Sequence, residues 1–195
     1  RVVNQMEVPY YPVVGNHDVW DEQSRRLWHE LFGPTHFSFD YGNSHFVCLD
    51  TEAGSEQKPF PPEQLQWLEE DLASHQGAQH IVVLLHVPLW SYEDDLPIWK
   101  REVHGLLLKY GVDLVIGGHT HGYEKDTLDG ITYLVTGGAG APTDANEATG
   151  GFHHYLLITV EEAELRTAVI KPGAVEPENY VLPTDRPIVE AVESN

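Results

Sequence analysis

Two apolar runs with a helical stretch between them constrain this chain more than anything else in it. "HIVVLLH" (80–86) and "VDLVIGG" (112–118) are short and almost continuously apolar. That pattern is expected of strands covered on both faces rather than of strands with one wet side. The segment between them, "PIWKREVHGLLLKYG" (97–111), reads as a helix. A strand–helix–strand rhythm of this kind argues for a central α/β region.

The flanking segments extend that reading. "YYPVV" (10–14), ending at Gly15, reads as another buried strand. "DEQSRRLWHELFG" (21–33) reads as a helix capped by Asp21 and stopped at Gly33-Pro34, with Leu27, Trp28, Leu31 and Phe32 on one face. "HFSFDYGNSHFVCLDT" (36–51) alternates as two strands around a Gly-Asn turn. "PPEQLQWLEEDLASH" (61–75) is a helix with proline at its start and Leu65, Leu68 and Leu72 on one side. Beyond residue 122 the pattern becomes all-β: a hairpin turning at Asp129-Gly130, then "FHHYLLITVE" paired with "ELRTAVIKP". The stretch from Pro172 to Asn195 is acidic and proline-containing and reads as a strap or tail, which leaves 1–171 as the domain body.

Composition limits the partners. The chain of 195 residues carries 31 acidic and 11 basic side chains, for a formal charge of −20. No basic excess exists to neutralise nucleic-acid phosphates. An anionic substrate would be repelled unless a bound metal reverses the local field. Cys48 is the single cysteine, which excludes an internal disulfide and a sulfur-rich zinc site. The run at 81–90 is too short to span a membrane. The chain opens on Arg1 with no legible leader, so its location in the cell stays open.

The chemistry-bearing residues share one description. Asn16 and His17, then His86, then His119 and His121 each follow directly after an expected buried strand. Ligands of open α/β sheets gather beyond the carboxyl ends of the strands, so these side chains can converge. Imidazole nitrogens with an amide oxygen suit zinc, iron or manganese better than calcium. A lone histidine after a strand is usually a capping or hydrogen-bonding residue, but two imidazoles at i and i+2 between glycines, as in "GGHTHG" (117–122), are costly to place without a purpose. Trp90, Tyr92 and Trp99 either line a substrate mouth or pack over the sheet. "GGAGAPTDANEATGG" (137–151) reads as a rim loop rather than a nucleotide phosphate loop. His29, His75, His80 and His104 read as surface residues. His36, His45, His153 and His154 lie in or near strands. No G-x-S-x-G elbow supports a serine nucleophile.

"GNHD" (15–18), a lone histidine after an apolar strand, and "GHTH" (118–121) together resemble the calcineurin-like metallophosphoesterase family. "GHTHGYEK", "EQLQWLEEDL" and "YLVTGGAG" are most similar to its purple acid phosphatase branch. The resemblance implies a four-layer α-β-β-α sandwich of two mixed sheets. It also implies hydrolysis of phosphate mono- or diesters at a dinuclear centre of divalent or trivalent iron, manganese or zinc. Carried onto this sequence, Asn16, His86 and His119 would bind one metal and His121 the other. His17 would contact the phosphate and protonate the leaving oxygen, with Asp18 holding its ring.

The family pattern also has an Asp-x-His and a Gly-Asp motif before the Asn-His-Asp run, and "RVVNQMEVPYYPVVG" contains neither. The expectation is therefore a fold lacking its first strands and a chain holding part of the site, with one metal or none on its own. Three explanations stand open. A separate chain supplies the N-terminal segment, a homodimer completes exposed sheet edges, or the domain is non-catalytic and acts by self-association or protein binding.

Overall fold

A computed structural model of the chain describes residues 6–55, 58–92, 94–143, 146–161 and 163–176. Six strands form one sheet: β1 (Phe37–Tyr41), β2 (Ser44–Cys48), β3 (His80–Leu84), β4 (Leu114–Gly117), β5 (Tyr123–Leu128) and β6 (Ile131–Thr136), in the order β1-β2-β3-β4-β6-β5. The four inner strands β2, β3, β4 and β6 run parallel, and an antiparallel partner closes each edge. β7 (Tyr155–Glu161), β8 (Glu164–Lys171) and β9 (Ala174–Val175) make a second sheet.

Apolar burial on both faces of the inner strands explains the layering. One face packs Val47, Val83, Val115 and Tyr133 against Leu68 and Leu72 of helix α2 (Pro62–Ser74) and against Trp99, Val103 and Leu107. The last three belong to α3 (Leu96–Trp99), a π-helical turn (Lys100–His104) and α4 (Gly105–Lys109). The opposite face packs Val82, Leu114, Ile116 and Leu134 against Phe152, Leu156, Ile158, Leu165 and Val169 of the second sheet region. Helices on a mixed sheet, backed by another sheet, give the α/β sandwich that the sequence suggests.

Several local expectations change. The second sheet is antiparallel rather than mixed, because all its described strands are joined as hairpins. Residues 10–14 join no ladder; Val14 is buried, but Tyr10 and Tyr11 are exposed. An apolar run becomes a strand only where a neighbour satisfies its backbone groups, and no described strand flanks this one. Helix α1 (Glu22–Phe32) forms as expected, with the Asp21 carboxylate accepting from Ser24 N–H at 2.7 Å in a capping box. Its apolar face is not a core face: Trp28 is buried, whereas Leu27, Leu31 and Phe32 are exposed. The helix expected over 97–111 is interrupted by the π turn. His80 and His104, expected at the surface, are buried. Trp90 and Trp99 also belong to the core, where they tilt against each other and against Tyr133. Of the expected strap, β9 pairs with β8, and residues 177–195 lie outside the described residues. Among the described residues, no helix is long and apolar enough to cross a membrane.

Candidate functional site

The parallel strands β3 and β4 end side by side, and their carboxyl ends deliver the site. Backbone bonds continue past the strands, with Leu85 N–H donating to Ile116 O at 3.0 Å and Gly118 N–H to His86 O at 2.9 Å. His86 and His119 therefore meet across the strand ends, their rings 5.0 Å apart and nearly perpendicular at 83°. His119 sits in the left-handed region at φ 63, uncommon for a residue with a side chain. The turns on either side hold it there, with Thr120 N–H bonded to Gly118 O at 2.7 Å and Gly122 N–H to Thr120 O at 2.8 Å.

The third group comes from far away in sequence. The turn at 15–18 is closed twice, by Asp18 N–H on Gly15 O and by Gly15 N–H on the Asp18 carboxylate, both at 2.9 Å. Asp18 thereby fixes the loop that carries His17. Gly15 is packed so tightly on His86 that a Cβ would lie 2.9 Å from ring atoms. That closeness brings Asn16 Oδ1 to 2.8 Å from His86 Nε2. His119 Nδ1 lies 3.1 Å from the same nitrogen.

These contacts do not form a self-sufficient hydrogen-bond set. His86 Nε2 can donate to the amide oxygen or accept from His119 Nδ1–H, and a single nitrogen cannot do both. Three lone-pair atoms crowd one point, which is the arrangement a cation resolves. Burial, followed by the neighbouring His119, pushes the His86 imidazole down to about 4, so it stays neutral and keeps one ring nitrogen as a lone-pair donor. The N,N,O donor set fits a borderline transition metal.

The remaining expected residues lie around this point. His17 and Asp18 are exposed beside Asn16, and their charges are felt by His86. His121 turns to the rim, its Nδ1 3.0 Å from the Pro142 carbonyl. The Gly-rich loop packs directly on the His-Thr-His turn: Gly137 N–H donates to Gly122 O at 2.9 Å, and a Cβ at Gly137 would lie 1.9 Å from Thr120 O. Tyr92 reaches the same turn, its hydroxyl 2.9 Å from Thr120 Oγ1.

The carboxyl end of β2 contributes residues not singled out from the sequence. Asp50 is fully buried and ion-paired to Arg25 of α1 at 2.6 Å. Its other oxygen accepts from Glu52 N–H at 2.8 Å. Thr51 Oγ1 accepts from Val87 N–H at 3.2 Å, tying this segment to the His86 loop. Burial, then the adjacent Asp50, raises the Glu52 carboxyl above its ordinary value, while His119 and Arg25 act the other way. The available signal was position alone: "LDTE" also follows a buried strand, but it carries no histidine.

The model of the calcineurin-like phosphoesterase family matches residues 1–123, and the chain belongs to that family. Purple acid phosphatase 23 of Arabidopsis thaliana is 29% identical over 161 residues, covering 69% of this chain and 34% of that protein. The serine/threonine-protein phosphatase CPPED1 of Rattus norvegicus is 26% identical over 180 residues, covering 84% of this chain and 55% of that protein. The chain thus spans from about a third to about half the length of these relatives. Among solved structures, GAP50, "the anchor in the inner membrane complex of Plasmodium", superposes with a TM-score of 0.72 at 15% identity, over 96% of this chain and 70% of that one. At that identity the likeness is one of fold.

Proposed function

We propose that this chain acts as a metal-dependent phosphoesterase in which Asn16, His86 and His119 hold one metal ion and His121 serves a second. The observation supporting this reading is the crowding of Asn16 Oδ1 and His119 Nδ1 around His86 Nε2, at 2.8 and 3.1 Å. Membership of a calcineurin-like phosphoesterase family, with relatives named as phosphatases, supports a phosphate ester as substrate. Iron, manganese and zinc all accept this donor set. The chemistry supplied by such a centre is neutralisation of phosphoryl charge and activation of water.

The protein's own groups orient and protonate. His17, exposed next to Asn16, is assigned to meet the phosphate and give its imidazole proton to the leaving ester oxygen. Asp18 fixes the loop presenting both residues, through its bond to Gly15 N–H. Arg25, held by Asp50, adds positive charge on a surface that is otherwise strongly acidic.

The test combines metal binding with turnover on the whole chain. Mn²⁺ titration calorimetry and hydrolysis of p-nitrophenyl phosphate and its bis ester are compared for the native protein and His86→Ala. The expected result is EDTA-sensitive hydrolysis that falls by about 100-fold or more in the variant, as on losing a group that stabilises transition-state charge. Hydrolysis indifferent to EDTA and to His86→Ala overturns the reading. Metal binding that depends on His86, with neither ester cleaved, instead favours the non-catalytic alternative. That alternative draws on an observation of its own: Trp20, just before helix α1, is 72% exposed, and Leu31, in its last turn, is 65% exposed. Sedimentation showing a dimer that Leu31→Asp dissociates would support it.

A further inference from the structure

At the opposite edge of the six-stranded sheet, among the amino ends of the parallel strands, lies a second cluster of ligating side chains. The β1–β2 register sets Asp40 directly opposite His45. Helix α2 lays Asp71 and His75, one turn apart, over the same spot. His45 is 1% exposed, with Nδ1 2.8 Å from Asp40 Oδ1 and Nε2 2.8 Å from Asp71 Oδ2. The His75 ring stacks on that of His45, centroids 3.8 Å apart and planes 9° from parallel. His75 Nδ1 is 2.7 Å from the Asp71 carbonyl, and Ser38 Oγ donates to Asp71 Oδ1 at 2.8 Å. One ligand atom from each of Asp40, His45 and His75 lies within 4.8 Å of the others. A cleft of about 470 Å³, lined by Asp40, Ser44 and His75 among others, opens alongside.

Two features separate this cluster from an ordinary buried histidine. A neutral imidazole carries one N–H, yet both nitrogens of His45 face carboxylates. One side therefore wants a cation: a second proton or a metal ion. The other feature is how the imidazoles are held. Metal-ligating histidines pass their remaining N–H to a carboxylate or a backbone carbonyl, which fixes the tautomer and aims the ring. Asp71 does this for both rings, through its carboxylate for His45 Nε2 and through its carbonyl for His75 Nδ1. His45 Nδ1, His75 Nε2 and the Asp40 carboxylate remain as donors.

We propose that Asp40, His45 and His75 bind a divalent ion of the zinc class, with Asp71 as the shared positioning residue, at a site independent of the phosphoester centre. Two nitrogens and one carboxylate oxygen match zinc's preferences and leave a fourth position for water from the cleft. Binding displaces the proton shared between Asp40 and His45. Parallel stacking leaves the two ring lone pairs side by side, so closing on an ion swings the His75 ring out of the stack. Its side chain is 32% exposed and that of Asp40 64%, so two of the three ligands adjust while His45 stays fixed. The bound ion clips the β1–β2 hairpin to α2.

The test uses Zn²⁺ alone on the whole chain, in a His86→Ala/His119→Ala background that removes the other centre. Calorimetry is expected to show about one bound equivalent and a rise in Tm on adding Zn²⁺. His75→Ala and Asp40→Asn, both changes at solvent-reaching side chains, are each expected to weaken binding by about 10-fold or more. His45 itself is left intact, because its replacement risks the fold. No Zn²⁺ binding in the background protein, or binding and Tm shifts that survive both substitutions, overturns the proposal. An Asp40→Asn protein whose Tm changes only in its pH dependence, with Zn²⁺ affinity as before, assigns the cluster to a proton and overturns it equally.

Discussion

Gly15 shows how little room the candidate site leaves at the scale of one residue. A methyl group there would meet the His86 ring at 2.9 Å, so Gly15→Ala must push the ring away from Asn16. The expected outcome is weaker Mn²⁺ binding and slower ester hydrolysis, with stability lowered by the roughly 1–3 kcal/mol typical of overpacking. Unchanged metal affinity would mean the loop and ring move apart without consequence. Cys48 makes the opposite case. Burial pushes its thiol up to about 12, so at pH 8 it is neutral and enclosed. Thiol reagents should label it only after urea unfolds the chain, and rapid labelling of native protein would contradict its place in the core. His36 and His154 are also shifted, both downward and chiefly by burial. A base whose folded value is depressed leaves the unfolded chain binding more protons. The stability it contributes is complete above the ordinary value of 6.5 and is lost as pH falls below it. Melting scans between pH 7.5 and 5 should therefore show a shallower decline for His154→Gln than for the native protein.

At the scale of elements, α1 is joined to the sheet by charge more than by apolar packing. Its buried members are Ser24 and Trp28, and the tie to β2 is the Arg25–Asp50 pair. Arg25→Leu leaves a fully buried carboxylate without its cation, an effect expected to cost about 2–4 kcal/mol. A fall in the urea midpoint of that order would support it, and a neutral result would show Asp50 satisfied by Glu52 N–H and solvent. This element also marks the limit of what its sequence reveals. The cap at Asp21 and the stop at Gly33 are local chemistry, and both are readable from the letters. Whether Leu27, Leu31 and Phe32 face a core depends on what packs there, which periodicity cannot state. The same holds for 10–14, apolar enough for a strand but outside any described ladder. The histidine-bearing strand ends were legible because buried parallel strands and Gly-His turns each leave a local mark. Asp50 and Glu52 follow a strand too, yet a carboxylate there is as common at an ordinary strand end. Asp40, His45, Asp71 and His75 come together through the β1–β2 register and the seating of α2, and neither is written in any short window.

For the whole molecule, both ends of the strands in one sheet gather ligating side chains. The carboxyl edge collects residues 16, 86 and 119, separated by long stretches of chain, so the candidate centre exists only when the sheet is complete. The helical layer that covers this sheet includes an irregular segment, the π turn at Lys100–His104. It carries His104, whose Nδ1 lies 2.7 Å from the Tyr133 hydroxyl and whose Nε2 lies 2.9 Å from Asp129 Oδ2 at the β5–β6 hairpin. A π turn is one residue longer than the α turn it replaces. In an unbroken α-helix, at 3.6 residues per turn, Trp99 and Leu107 would stand eight positions apart and about 80° out of phase. The wider π turn takes up the extra residue, so both side chains stay fully buried on the same wall of the sheet. Here the extra residue serves as a phase correction between two halves of a helix that must share one wall.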